Sequence, residues 1–218
     1  MCGRIYNTLA PEFILALFGG NEVKHNQKVS PSYNAAPTRF MAVAAQGVSV
    51  QVEAMKWGMV LPNSNDLVVN GRLEELQDKP FFKKLLDRKR CVLGMNGYFE
   101  WGEDKTPFLI TNKDLPPSSL KVEGSKMKAP SVEQNQVLQV ACLFNNPFNK
   151  EGLGDQFNQF VVLTMESQGP ASEVHHRMPV FLDVTTRAMW LDPKVSFETV
   201  VAAIVASQTA KGADLLTT

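Results

Sequence analysis

Short apolar runs set between Gly, Pro and Asn residues recur along this 218-residue chain, the pattern of many strands with helices interspersed. Residues 8–18 read as a short helix, with Pro11 in its first turn and Gly19-Gly20 as a stop. Residues 48–52 alternate apolar with polar side chains, as a strand running on towards Trp57-Gly58. A second helix is expected over 81–86, directly after Pro80. Residues 91–93 form a short apolar strand that breaks at Asn96-Gly97, a strong turn signal, before Tyr98-Phe99-Glu100-Trp101 resumes as an aromatic strand. Buried strands are expected over 137–144, 160–164 and 178–182. The run 200–206 fits either a helix or a terminal strand, because short apolar runs do not distinguish the two. Residues 112–136, rich in Pro, Ser, Lys and Gly, read as a mobile surface loop or insertion. No internal repeat is visible, and the mixture predicts one α+β domain over residues 1–218.

Composition is that of an ordinary soluble globular protein. No basic, then apolar, leader opens the chain, and no run approaches the length of a membrane span. The expected compartment is a reducing one, the cytoplasm in a bacterium or the nucleus in a eukaryote. Cys2, Cys91 and Cys142 are an odd number at wide spacing, so neither a disulfide framework nor a zinc knuckle follows. Lysines and arginines number 22 and acids 22, so bulk charge points to no nucleic-acid partner. Any phosphate contact must come from local clusters such as Lys83-Lys84 and Arg88-Lys89-Arg90, whose plainer reading is a solvated helix face.

Candidate chemistry begins at Met1-Cys2-Gly3-Arg4. A methionine before a small residue is the pattern that methionine aminopeptidase trims, and trimming leaves an α-amine and a thiol on adjacent carbons of Cys2. Both groups titrate near about 8 to 8.5, so each has a reactive fraction at neutral pH. Asn70-Gly71-Arg72-Leu73-Glu74 offers an amide that donates and accepts, and a guanidinium that can clamp an anion; its plainer reading is a turn. Glu100 lies between Phe99 and Trp101. Alternation puts it on the face opposite both, either desolvated as a general acid or exposed on an edge strand. His175-His176-Arg177-Met178-Pro179 precedes an apolar strand and supplies imidazoles suited to proton transfer. Adjacent residues of an extended segment point to opposite sides, and the run lacks zinc-ligand spacing, so no metal is expected. Tyr33-Asn34-Ala35-Ala36-Pro37-Thr38 reads as an ordered polar loop.

In this order these segments, together with Trp57-Gly58, Arg90-Cys91 and Thr164, resemble the SOS-response-associated peptidase (SRAP) family. The resemblance implies mainly antiparallel, barrel-like β-structure with short flanking helices. It implies that Cys2, freed of Met1, traps the open-chain aldehyde of an abasic site in single-stranded DNA as a thiazolidine crosslink. Asn70 would hydrogen-bond the adduct, Glu100 would act as general acid and base, and His175 would protonate the leaving atom and assist reversal. Arg4, Arg72 and Arg177 would grip phosphates, Thr164 would join the DNA-binding set, and Trp57 and Pro37 would contact bases. Single-stranded DNA is the implied partner of a monomer, with replication-fork proteins beside it and no cofactor. The family's "peptidase" label reads as autocatalytic processing of its own N-terminus or as a label alone, since the chain shows no separate protease constellation, and the resemblance implies an abasic-site crosslinking, lyase-type activity.

Gly71 departs from the family's usual Ala, Gly94-Met95-Asn96 from Pro-Ala-Asp, and His176 from Asp, while 112–136 reads as an expanded loop. Two other classes fit parts of the pattern. N-terminal-cysteine amidohydrolases such as glutamine amidotransferases also open with Met-Cys-Gly and use an Asn-Gly oxyanion hole, but their glutamine-binding Arg-Gly-Pro-Asp segment is absent here. A non-catalytic single-strand-binding module would make Cys2 incidental.

Overall fold

A computed structural model describes residues 2–24, 27–47, 49–61, 66–115, 133–146, 157–211 and 215–217. Strand β1 (Arg4–Asn7) leads to helix α1 (Pro11–Phe18), then β2 (Glu22–Lys24), β3 (Ser32–Ala35), β4 (Phe40–Ala45) and β5 (Gln51–Trp57). Short strands β6 (Met59–Val60), β7 (Leu67–Val68) and β8 (Asn70–Arg72) precede a 3₁₀ turn (Leu73–Asp78) and helix α2 (Pro80–Lys83). Strands β9 (Arg90–Met95), β10 (Gly97–Trp101), β11 (Pro107–Asn112), β12 (Leu138–Asn145), β13 (Gln159–Glu166) and β14 (Arg177–Pro179) follow. Helices α3 (Val184–Leu191) and α4 (Phe197–Lys211) and strand β15 (Leu215–Thr217) complete the order. The centre of the expected loop, residues 116–132, lies outside the described residues.

The larger sheet closes on itself. Strands β13, β12, β9, β4 and β5 pair in succession, and a parallel pairing of β5 with β13 (Phe160 opposite Trp57) completes the ring. Most ladders are antiparallel. Strand β9 is buried along its whole length, as expected of strands covered on both faces. The smaller sheet runs β15-β11-β10-β1-β3. One apolar cluster joins Ile5 and Tyr98 of the smaller sheet to Met55, Leu93 and Val162 of the ring.

Local chemistry sets the helix ends. Gly19, at φ 63°, caps α1 in the left-handed conformation that glycine adopts without strain. Burying Ile14, Leu17 and Phe18 contributes about 1.5–3 kcal/mol apiece to docking α1. Asp183 caps α3: its Oδ1 accepts from the Thr186 N–H at 2.7 Å, and Thr186 Oγ1 accepts from the Asp183 N–H at 2.9 Å. The ambiguous run 200–206 is helical. Phe197, Val200, Ile204 and Gln208 are all buried, a stripe at helical spacing that no strand would produce.

Asn96-Gly97 is not a hairpin turn. Strand β9 belongs to the ring and β10 to the smaller sheet, so the chain changes sheets at this dipeptide. Asn96 is wholly buried, and its Oδ1 accepts from the Thr8 N–H at 2.7 Å. A Cβ on Gly97 would lie 2.6 Å from the Ile110 carbonyl oxygen, so the close approach of β11 requires glycine. Gly71 has a different reason. A Cβ there would lie 3.2 Å from both Leu163 and Leu76, so an alanine would need those side chains to give by a few tenths of an ångström. Among the described residues no helix is long and apolar enough to cross a membrane.

Candidate functional site

Cys2 lies just before β1 and is 1% exposed. Strand β8, hydrogen-bonded alongside β13 with Asn70 opposite Val162, brings the Asn70 amide to it. Asn70 Nδ2 donates to the Cys2 carbonyl oxygen at 3.0 Å, while the buried Oδ1 has no hydrogen-bond partner among the described residues. Burial pushes the Cys2 thiol well above its ordinary range, and the negative charge of Glu100 pushes it further.

Alternation along β10 decides between the two readings of Glu100. Tyr98 and Glu100 face inward, Glu100 being 3% exposed, while Trp101 is 41% exposed on the other side. Tyr98 enters the site with Glu100, although the motifs alone did not single it out. Its hydroxyl is buried without a hydrogen-bond partner among the described residues, and burial raises its pKa, with the charges of Cys2 and Glu100 adding to the shift. The period-2 pattern of residues 98–101 was the signal available for it.

His175 comes from the turn before β14. Its Nδ1 lies 3.0 Å from the Arg177 N and 3.3 Å from the Arg177 carbonyl oxygen, accepting from the N–H in one tautomer and donating to the carbonyl in the other. Partial burial lowers its pKa below the ordinary histidine value, against the opposing pull of Glu100. The two adjacent histidines do not point apart. The segment is bent rather than extended, and the rings of His175 and His176 stack with centroids 4.3 Å apart.

The expected DNA-binding residues separate into three groups. Trp57 is wholly buried, and its Nε1 donates to the Val69 carbonyl at 3.1 Å. It therefore offers no face to a base and instead braces the strand that carries Asn70. Thr164 is also buried; its hydroxyl donates to the Gly71 carbonyl and, with its own carbonyl, accepts from Arg177. Arg177 is 8% exposed and clamped by both carboxylate oxygens of Glu74, so in this state it is a structural cation rather than a free phosphate grip. Arg72 is exposed and paired with Glu75 at 2.7 Å. Lys79 holds the same carboxylate at 2.6 Å; the Lys79 and Arg72 bonds together depress the Glu75 pKa to about 2. Arg4 is exposed on the outer face of β1, opposite Phe99, and Pro37 is half-buried between β3 and β4.

The Glu74–Arg177 pair carries a stability signature. Burial raises the Glu74 pKa, but the Arg177 hydrogen bond and charge outweigh it, and the folded value lies below the ordinary one. Stability from a depressed carboxylate is present above its ordinary pKa and is lost as pH falls through the folded value. Glu74→Gln is expected to cost about 1 kcal/mol at pH 7, because the Glu74 side chain is 53% exposed and the pair is only half desolvated. Urea unfolding should show that difference at pH 7 and a smaller one at pH 3, below the ordinary carboxylate pKa. A difference of the same size at pH 3 would assign the loss to something other than the ion pair.

A ring of strands with a buried second-residue cysteine, attended by an amide, a carboxylate and an imidazole, defines an α+β protein with a candidate site built around Cys2. The chain belongs to the SOS response associated peptidase (SRAP) family, whose family model matches residues 1–216. The abasic site processing protein YobE of Bacillus subtilis is 27% identical over 202 residues, covering 89% of this chain and 83% of that protein. YedK of Escherichia coli, with the same descriptive name, is 23% identical over 90% of this chain and 82% of its own. HMCES of Xenopus tropicalis, also an abasic site processing protein, is 26% identical over 88% of this chain and 66% of its own. A solved structure from Bacteroides thetaiotaomicron has a TM-score of 0.73 at 17% identity, covering 93% of this chain and 86% of that one. A phage-related protein from Bordetella bronchiseptica gives 0.70 at 18%, covering 100% and 93%. Both likenesses concern the fold.

Proposed function

We propose that this chain processes abasic sites in DNA, as the names of its relatives say of those proteins, by covalent capture through Cys2 once Met1 is removed. The observation that carries the reading is the Asn70 amide. It clasps the Cys2 carbonyl through Nδ2, while its buried Oδ1 lacks a donor among the described residues. A buried acceptor left unmet costs about 1–3 kcal/mol. The N–H of a freed Cys2 α-amine, and of the intermediates that grow from it, is the donor this position calls for.

The chemistry balances with the residues present. The α-amine adds to the aldehyde carbon of the opened sugar, and water leaves as the imine forms. The thiol sulfur then adds to the imine carbon and its proton passes to nitrogen, closing a five-membered thiazolidine with net loss of one water. Burial that raises the thiol pKa favours this order, amine first and sulfur second. Ring closure is intramolecular, with effective molarities on the order of 10⁵ M in well-oriented cases. In this reading Glu100 moves protons to and from the leaving oxygen, and the His175 imidazole donates to the same region. The imine also acidifies the neighbouring sugar carbon, so lyase-type β-elimination competes with ring closure. Single-stranded DNA is the substrate of this reading, because the buried site demands a lesion free of a paired strand.

Asn70→Ala tests the carrying observation. Loss of a buried hydrogen-bonding group worth about 1–3 kcal/mol should slow single-turnover crosslinking to uracil-excised single-stranded DNA roughly 10- to 100-fold. Crosslinking at the wild-type rate by a folded Asn70→Ala protein would remove that support.

A further inference from the structure

Arg72 and Arg177 are occupied by carboxylates, so strand binding calls for cations that are not. A cleft of about 190 Å³ supplies two of them. Lys28, Ser30, Thr38, Arg39 and Phe40 line it, two cations and two hydroxyls with no acid among them. At about 30 Å³ per water the volume equals roughly six waters, room for a phosphate with part of its hydration shell. Neither Lys28 nor Arg39 makes a side-chain hydrogen bond or ion pair with a described residue.

The cleft is built rather than incidental. Thr38 sits at φ 77°, a left-handed conformation that is strained for a β-branched residue. Its N–H donates to the Trp57 carbonyl at 2.7 Å, and the Trp57 N–H returns a bond to the Arg39 carbonyl at 2.9 Å. The same Trp57 holds Val69 through its indole, and the next residue, Asn70, holds Cys2. A short chain of bonds therefore fixes the position of Arg39 relative to the nucleophile.

We propose that this cleft is a phosphodiester subsite that takes a backbone phosphate of the DNA strand beside the lesion, with Arg39 and Lys28 as its cations and the Ser30 and Thr38 hydroxyls as donors. The proposal rests on the reading of abasic-site processing above and extends the path of the strand beyond Cys2. Trp57 then serves DNA binding as the brace that sets the Pro37–Arg39 loop.

The test measures affinity of the full chain for an undamaged single-stranded oligonucleotide by fluorescence anisotropy across salt concentrations. Each phosphate contact contributes about 0.7 to the slope of log affinity against log salt for single strands. Lys28→Gln/Arg39→Gln should lower that slope by about 0.7, the loss of one phosphate contact, while Lys83→Gln/Lys84→Gln, the same charge removed from α2 and the residue after it, should leave it unchanged. Crosslinking at saturating abasic DNA should be unaltered in Lys83→Gln/Lys84→Gln. An unchanged slope in the first variant, or an equal fall in the second, overturns the subsite. Competition by inorganic phosphate at constant ionic strength that is as strong in Lys28→Gln/Arg39→Gln as in wild type would place the anion elsewhere and overturn it likewise. Absence of crosslinking in wild type would instead count against the function proposed above, and the slope comparison would still decide the cleft.

Discussion

Glu100→Gln is expected to slow crosslinking by about 10²–10⁴-fold, the usual contribution of a positioned general acid or base. The same change should make Cys2 more reactive towards iodoacetamide. Glu100's negative charge is one of the forces holding the thiol pKa up, so its removal lets the thiolate form at lower pH. The two rates therefore move in opposite directions. Loosening the core would also expose Cys2 and slow crosslinking, so the comparison is made with urea unfolding showing Glu100→Gln as stable as wild type. If Glu100→Gln crosslinks as fast as wild type, Glu100 is not the acid or base of the reaction.

The second large effect concerns Cys2 itself. Cys2→Ala, trimmed of its methionine, keeps an α-amine and loses the sulfur that closes the ring. It should form no adduct that survives denaturation, yet an imine that borohydride traps. With ring closure gone, the imine persists and strand cleavage by β-elimination should increase. A chain that retains Met1 should do neither at Cys2, because the cysteine nitrogen is then a peptide nitrogen. These three behaviours separate an aminothiol trap from an amidohydrolase, which would turn over glutamine and leave DNA unmodified.

Much of the site was legible in the sequence because its chemistry is carried by residue type. An aminothiol exists only at the N-terminus, and alternation along residues 98–101 places Glu100 opposite Trp101, with Tyr98 beside it. The surroundings of the expected DNA-binding residues were less legible, for reasons of long-range pairing. Trp57 is buried because β5 joins β13 and closes the ring, a contact between residues about a hundred apart in sequence. Glu74 clamps Arg177 across a separation of 103 residues. Neither is visible in local pattern, whereas exposed cations at the ends of motifs look free. Asn96-Gly97 misled for a related cause. The dipeptide has the composition of a hairpin turn, but two sheets compete for its flanks, and burial of Asn96 against Thr8 settles the outcome. His175 and His176 share one side because a bend, not a strand, carries them.

The central claim is that the α-amine and thiol of Cys2 together hold the abasic aldehyde. Mass spectrometry of the N-terminal peptide tests it most directly, after Met1-processed wild-type protein has reacted with abasic single-stranded DNA and the DNA has been trimmed by nuclease. The account predicts a peptide heavier by the sugar remnant less one water, with fragmentation placing the addition on Cys2 and with the Cys2 thiol no longer open to alkylation. An adduct on a lysine, an adduct that leaves the Cys2 thiol free, or no adduct at all would contradict it.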